Sequence, residues 1–338
     1  MRVRGRDGAL TMSRPLRHGA RALAAVSLVL LVGAAEPEGR PPPERAPCSL
    51  PAMIDDLRSA LQDGSPSLRK YMKLLLKEAA LGMSPAELRA AFDAERDPAV
   101  LEALGAALAA RASHAEDPKL VEPVLDRARR DKDPAARAGA LRGLRGSSSV
   151  ETMAKTGGAS YESFARDAAP EVREAAADNL IQESAEVFFG HDRAVSEAAV
   201  KAAAACPDPA LSAKLLTNTS MEQVGPEAVR TLIEKLGSGS AELRAAAARA
   251  LGGVPAAHAS EATRALVERY RVDTERDVRA AILEGIVHLG LGGARPTLES
   301  LRGLDPALAP EIDAWLQVLK MGLQEWSIIL REKQRLQR

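Results

Sequence analysis

The chain has 338 residues, with 46 basic and 46 acidic side chains, 46% hydrophobic residues and only 3% aromatics. Ala supplies much of the apolar content, which suits closely packed helices and gives little purchase for β-sheet. The balanced charge supplies no net basic excess of the kind that nucleic-acid binding calls for, and two cysteines exclude a disulfide scaffold.

The first 35 residues carry six Arg and one Asp, which leaves 40 basic and 45 acidic residues in the remainder. Arg14, Arg17 and Arg21 precede the uncharged run "ALAAVSLVLLV", Ala22 to Val32, and the small residues Gly33, Ala34 and Ala35 follow it. A basic stretch, a short apolar run and small residues form the layout of a secretory signal over 1–35. The run is too short to span a bilayer, which needs about 20 apolar residues. Met12 offers a second start closer to the run. Cleavage is expected after Ala34 or Ala35, giving a periplasmic or secreted product without a membrane span. Residues 36–48, "EPEGRPPPERAPC", read as a stiff Pro-rich tether. Cys48 lies too far beyond the apolar run for a lipoprotein cysteine.

From residue 49 onward one signal recurs: a polar or small residue, Pro, one residue, an apolar anchor, and often Arg. Its copies are "SPSLR" at Ser65, "DPAVL" at Asp97, "DPAAR" at Asp133, "APEVR" at Ala169, "DPALS" at Asp208, "SAELR" at Ser240, "ERDVR" at Glu275 and "DPALA" at Asp305. The anchors Leu68, Val100, Ala136, Val172, Leu211, Leu243, Val278 and Leu308 recur at a mean spacing of about 34 residues, within the range of solenoid repeats. Asp or Ser at such a position caps an orphan backbone N–H, and Pro at the first helical position has no N–H to lose. Apolar residues then follow at helical spacing, as in Leu243, Ala246, Ala247, Ala250 and Leu251.

Each unit has room for a second helix, expected at Ser84–Ala94, Pro118–Arg130, Asp192–Ala205, Pro226–Leu236 and Ser260–Arg271. The third unit is weakest: "GSSSVETMAKTGGASYESFARD" is broken by Gly157 and Gly158 and is expected to be an irregular loop. Asp192–Ala205 also resembles a first helix, but regular alternation favours the second. Trp315, Leu316, Leu319, Leu323, Trp326, Ile329 and Leu330 form a larger apolar stripe that suits a terminal capping unit.

The runs "APEVREAAADNL", "SAELRAAAARAL" and "RDVRAAILEGI" resemble HEAT repeats, above all the short bacterial, phycobilisome-lyase-like kind. The resemblance spans roughly residues 65–320. It implies an all-α fold, an α-solenoid of about eight two-helix repeats over 49–338, that serves as a binding scaffold more often than as an enzyme. It also implies that Arg69, Arg137, Arg173, Arg244 and Arg279 tie adjacent repeats together by bonding carbonyls and acids. Ala136 replaces a bulky anchor, and Arg is missing after Val100, Leu211 and Leu308, so the ladder is expected to be interrupted.

No catalytic signature emerges. The chain lacks G-x-x-x-x-G-K-[ST], G-x-S-x-G and H-E-x-x-H, and none of His114, His191, His258 and His288 has a histidine partner at i+4. No catalytic, cofactor or metal residue is assigned. The expected function is an exported, non-catalytic scaffold that takes a protein or peptide in a concave groove lined by second helices, and no nucleic acid. The alternative is a HEAT-repeat enzyme of the lyase-like group, which needs acid, aromatic and basic residues clustered in that groove.

Overall fold

The computed structural model describes residues 49–63, 65–115, 117–157, 159–186 and 193–337. The signal over 1–35, the tether over 36–48, Cys48 with any bridge to Cys206, and His191 lie outside the described residues. Among those described, the chain is all-helical, without a strand.

A helix absent from the repeat reading, α1 (Leu50–Asp63), comes first. Pairs follow: α2 (Pro66–Leu81) with α3 (Pro85–Ala94), α4 (Pro98–Ala115) with α5 (Glu122–Arg130), and α6 (Pro134–Arg142) with the short α7 (Ser149–Thr156) and α8 (Tyr161–Ala165). Then come α9 (Pro170–Glu186) with α10 (Arg193–Ala205), α11 (Pro209–Thr217) with α12 (Pro226–Lys235), and α13 (Ala241–Gly252) with α14 (Ala259–Val272). The last pairs are α15 (Arg276–Gly290) with α16 (Arg295–Arg302), and α17 (Ala309–Lys320) with α18 (Trp326–Leu336).

The caps do what the sequence signal requires. Ser65 Oγ accepts from Leu68 N (3.2 Å), Asp208 Oδ1 from Ala210 N (2.9 Å) and Leu211 N (3.2 Å), and Ser240 Oγ from Leu243 N (3.3 Å). Ser84 and Glu87 complete a reciprocal capping box. Ala169 has no polar side chain to cap with and Glu275 makes no cap bond, and the last copy departs further. Asp305–Pro306 does not start a helix; α17 begins four residues later with Pro310 in its first turn, and Leu308 sits at its N-cap.

Two layers result. The first helices α2, α4, α6, α9, α11, α13, α15 and α17 each pack on the next in order. In the other layer α10 lies against α8 and α12 while also contacting α9 and α11. That placement makes α10 a second helix, so the regular alternation holds. Val100, Val172 and Val278 are fully buried between neighbours, each contributing about 1.5–3 kcal/mol. Ala136 is buried as well, and Leu211 is half-buried. Leu68 departs from this pattern: it is 44% exposed, since among the described residues only α1 precedes α2 and it leaves this first turn uncovered. Small residues let the first helices approach closely. A Cβ on Gly285 of α15 would lie 2.4 Å from the Ala248 carbonyl oxygen of α13.

The third unit is not an irregular loop. Glu183 of α9 reaches the open N-terminus of α7, accepting from Ser149 N (3.1 Å), Val150 N (3.2 Å) and the Ser149 hydroxyl. Ser160 and Ser163 box the start of α8. Met153, Tyr161 and Phe164 are buried beneath. The helical order in this stretch therefore comes from a side chain 34 residues away, which local sequence does not display.

Candidate functional site

The recurring arginines divide by what lies two residues before the next helix cap. Arg137 grips Asp167 with Nε (3.2 Å) and Nη2 (2.8 Å) while Nη1 donates to the Asp131 carbonyl (2.9 Å). Arg244 repeats the geometry on Asp273 (2.7 and 3.2 Å) and on the Ser238 carbonyl (2.9 Å). Arg279 reaches Asp305 (2.9 Å). In each case the acid belongs to the loop leading into the following repeat. There it also accepts a backbone N–H two residues on, as Asp167 does from Ala169 (2.8 Å) and Asp273 from Glu275 (3.0 Å). The acid is therefore a hinge pin that fixes its own loop and receives the preceding repeat. Burial pulls the Asp273 carboxyl up, but the bonds from Arg244, Glu275 N and Arg269 outweigh it and hold its pKa at about 2.

Two of the five arginines do otherwise. Arg173 donates to the carbonyls of Asp167 (2.8 Å) and Ala168 (2.9 Å) in its own leading loop and reaches no acid. The position that would supply one is Cys206, whose half-buried Sγ instead bonds the Asp208 carbonyl (3.6 Å). Arg69 is exposed, and Arg58 of α1 takes its place in the ladder, holding Glu95 at 3.0 and 2.9 Å. Where Arg is missing after Val100, Arg127 of the second helix serves Asp131 (3.0 Å) and ties back to the Phe92 carbonyl (2.6 Å). The acids of this ladder were not singled out in the sequence, although "DKDP" and "ERDP" carry an acid two residues before each cap.

The ladder runs along the N-terminal ends of the first helices. A cleft of about 540 Å³ opens at their C-terminal ends, built by the last turns of α11, α13 and α15 and closed by Trp326 at the start of α18. Its aromatic wall is a stack. The His288 imidazole lies on Trp326 at 4.2 Å and 10°, and Trp326 lies on Trp315 at 6.0 Å and 9°. Lys333 Nζ covers the far Trp face, 4.9 Å from the Trp315 ring centre. Burial lowers the His288 pKa while Glu222 opposes the shift, so the neutral imidazole is favoured. The polar wall holds Glu222, Glu284 and Arg249, the last two paired at 3.1 Å across α13 and α15. Helix C-termini carry a partial negative charge, so the cleft joins two carboxylates, one of them paired with Arg249, and three helix ends to one flat aromatic edge.

Composition held one pointer to this place: both Trp residues of an aromatic-poor chain lie here. The juxtaposition of Glu222, in the turn after α11, with Glu284 and His288 of α15 had none. Among the described residues no group of three or more His, Cys, Asp or Glu is arranged to hold a metal, and no helix is long and apolar enough to cross a membrane.

Helix order, layering and ladder define an α-solenoid of two-helix, HEAT-like repeats. No family model matches the chain, and no curated protein matches it. Solved structures similar to it are helical-repeat proteins. The X-ray structure of Escherichia coli YibA is 16% identical with a TM-score of 0.37, covering 84% of this chain and 92% of that one. Human deoxyhypusine hydroxylase in complex with glycerol is 16% identical with a TM-score of 0.26, covering 84% and 98%. At such scores the architecture rests on the packing described above.

Proposed function

We propose that the chain is an exported, non-catalytic scaffold for a protein or peptide partner, and that the His288–Trp326 cleft takes a basic segment of that partner. The cleft carries the reading. Its carboxylates and helix C-termini favour a cation, its aromatic edge favours the aliphatic stem of Lys or Arg, and about 540 Å³ accommodates one or two side chains. Within the chain, Arg249 bonds Glu284 on that wall at 3.1 Å. Export is supported by the basic stretch, apolar run and small residues of 1–35.

The test is affinity capture from envelope extract with crosslinking and mass spectrometry, comparing the wild type with Glu222→Lys and Glu284→Lys. The expected result is crosslinks concentrated at 217–222, 249 and 284–288, lost in both variants, on a protein whose N-terminus follows Ala34 or Ala35. Crosslinks that map elsewhere and survive both substitutions overturn the cleft. Retention in the cytoplasm overturns export.

A further inference from the structure

We propose that the first turns of α2 dock on an anionic lipid surface. Six large hydrophobic side chains stand exposed among the described residues, and three of them lie within seven positions of α2: Leu68 (44%), Tyr71 (56%) and Leu74 (53%). They share the segment Pro66–Lys77 with Arg69, Lys70, Lys73 and Lys77 and no acid, whereas residues 49–338 as a whole hold 38 basic against 42 acidic side chains. Cations are thus concentrated where apolar surface is left open. Exposed Leu and Tyr flanked by Lys and Arg form the pattern of a helix that lies in a membrane interface, with the tyrosine ring at headgroup depth.

Two structural observations favour a lipid plane over a partner helix. Every residue from Ser65 to Tyr71 is exposed, so the start of α2 presents a ridge. A docking helix needs a groove between two walls, whereas a ridge can rest on a flat surface. The cations are also largely uncommitted to the fold. Arg69 and Lys70 are exposed, and the ladder position of Arg69 is filled by Arg58. Lys73, which bonds Glu102 at 2.7 Å, orients the helix against α4 and leaves the other face outward.

Flotation with vesicles tests the proposal, using the full chain and its variants with the same N-terminus, so that any contribution of Ala22–Val32 cancels in the comparison. The vesicles are equimolar phosphatidylglycerol and phosphatidylcholine, or phosphatidylcholine alone. The wild type is expected to float with the anionic vesicles in a salt-sensitive way. Tyr71→Glu combined with Leu74→Glu abolishes this. Arg69→Gln combined with Lys70→Gln lowers partitioning about 25-fold, at about fivefold per basic residue near an anionic surface. Leu304→Glu, an equally exposed position at the other end, leaves it unchanged. Circular dichroism confirms that each exposed substitution retains the helices. Equal flotation of wild type and Tyr71→Glu/Leu74→Glu overturns the proposal, as does equal binding to phosphatidylcholine alone. So does a wild-type dimer that the double substitution dissociates with no change in flotation, which would assign the ridge to a second copy of the chain.

Discussion

Asp273 is the most buried acid of the ladder, and Asp273→Asn is its sharpest test. The carboxylate is 1% exposed and accepts from Arg244 Nε (2.7 Å), Arg244 Nη2 (3.2 Å), Arg269 Nε (2.8 Å) and Glu275 N (3.0 Å). Its pKa of about 2 lies below the usual 3.8, so this stability is fully present above pH 3.8 and is lost as pH falls towards 2. The difference corresponds to about 2 kcal/mol. Asn removes the charge and turns a donor towards a guanidinium, so the total cost rises to about 3–4 kcal/mol, near that of breaking a buried ion pair. Repeat arrays are stabilised by neighbour interfaces, so the loss should centre on α13–α15. Urea unfolding at pH 7 reads the total, and hydrogen exchange by mass spectrometry reads its location. Between pH 4 and pH 2 the wild type should lose about 2 kcal/mol more than the variant. A variant within about 0.5 kcal/mol of wild type at pH 7, the range of an ordinary surface substitution, or one with the same acid loss, would refute the role assigned to this carboxylate.

Gly285→Ala should destabilise by about 1–3 kcal/mol by overpacking against the Ala248 carbonyl, 2.4 Å from the new Cβ, read as a fall in Tm. Arg58→Ala frees Glu95 and should speed hydrogen exchange in α1–α3, whereas Arg69→Ala should stay within about 0.5 kcal/mol of wild type, since its side chain is exposed. Glu183→Ala should cost about 1–2 kcal/mol through the lost cap of α7 and alter the near-ultraviolet circular dichroism of Tyr161; an unchanged spectrum would place the order of α7 elsewhere. Because burial favours neutral His288, stability should decline as pH falls below about 6.5, with a change in Trp fluorescence that His288→Gln removes.

What the sequence disclosed was whatever local chemistry writes into consecutive residues. Asp208 with Pro209, or Ser84 with Glu87, specifies a helix start without help from the rest of the chain, and these starts fall where the pattern placed them. What it withheld depends on distant partners. Glu183 orders α7 from another helix, so a Gly-broken, Ser-rich stretch gave no sign of being helical. Leu68 and Arg69 match the repeat signal as well as any copy, yet they are exposed because burial of an anchor requires a preceding repeat, and among the described residues only the single helix α1 precedes α2. The cleft is similar: Glu222, in the turn after α11, and Glu284 and His288, on α15, come to line one cleft only through the stacking of successive repeats.

The ladder also explains where the array can yield. Its pins are bidentate at Asp167 and Asp273, but the step from α9 to α11 has Cys206 in place of the acid, and the next has Ser238. At those two steps the first helices are joined by apolar contact and by bonds such as Lys214 to Asp178 (2.8 Å), which is exposed and therefore weak. A polar pin fixes angle as well as distance, because a guanidinium fork accepts a carboxylate in only one orientation. Apolar contact fixes distance alone. Opening of the array under urea should therefore begin between α9 and α13, on the N-terminal side of the cleft. Placing Asp at Cys206, within reach of the Arg173 fork, should slow hydrogen exchange there. An unchanged exchange rate in α9 and α11 for Cys206→Asp would show that the missing acids do not set the compliance of the solenoid.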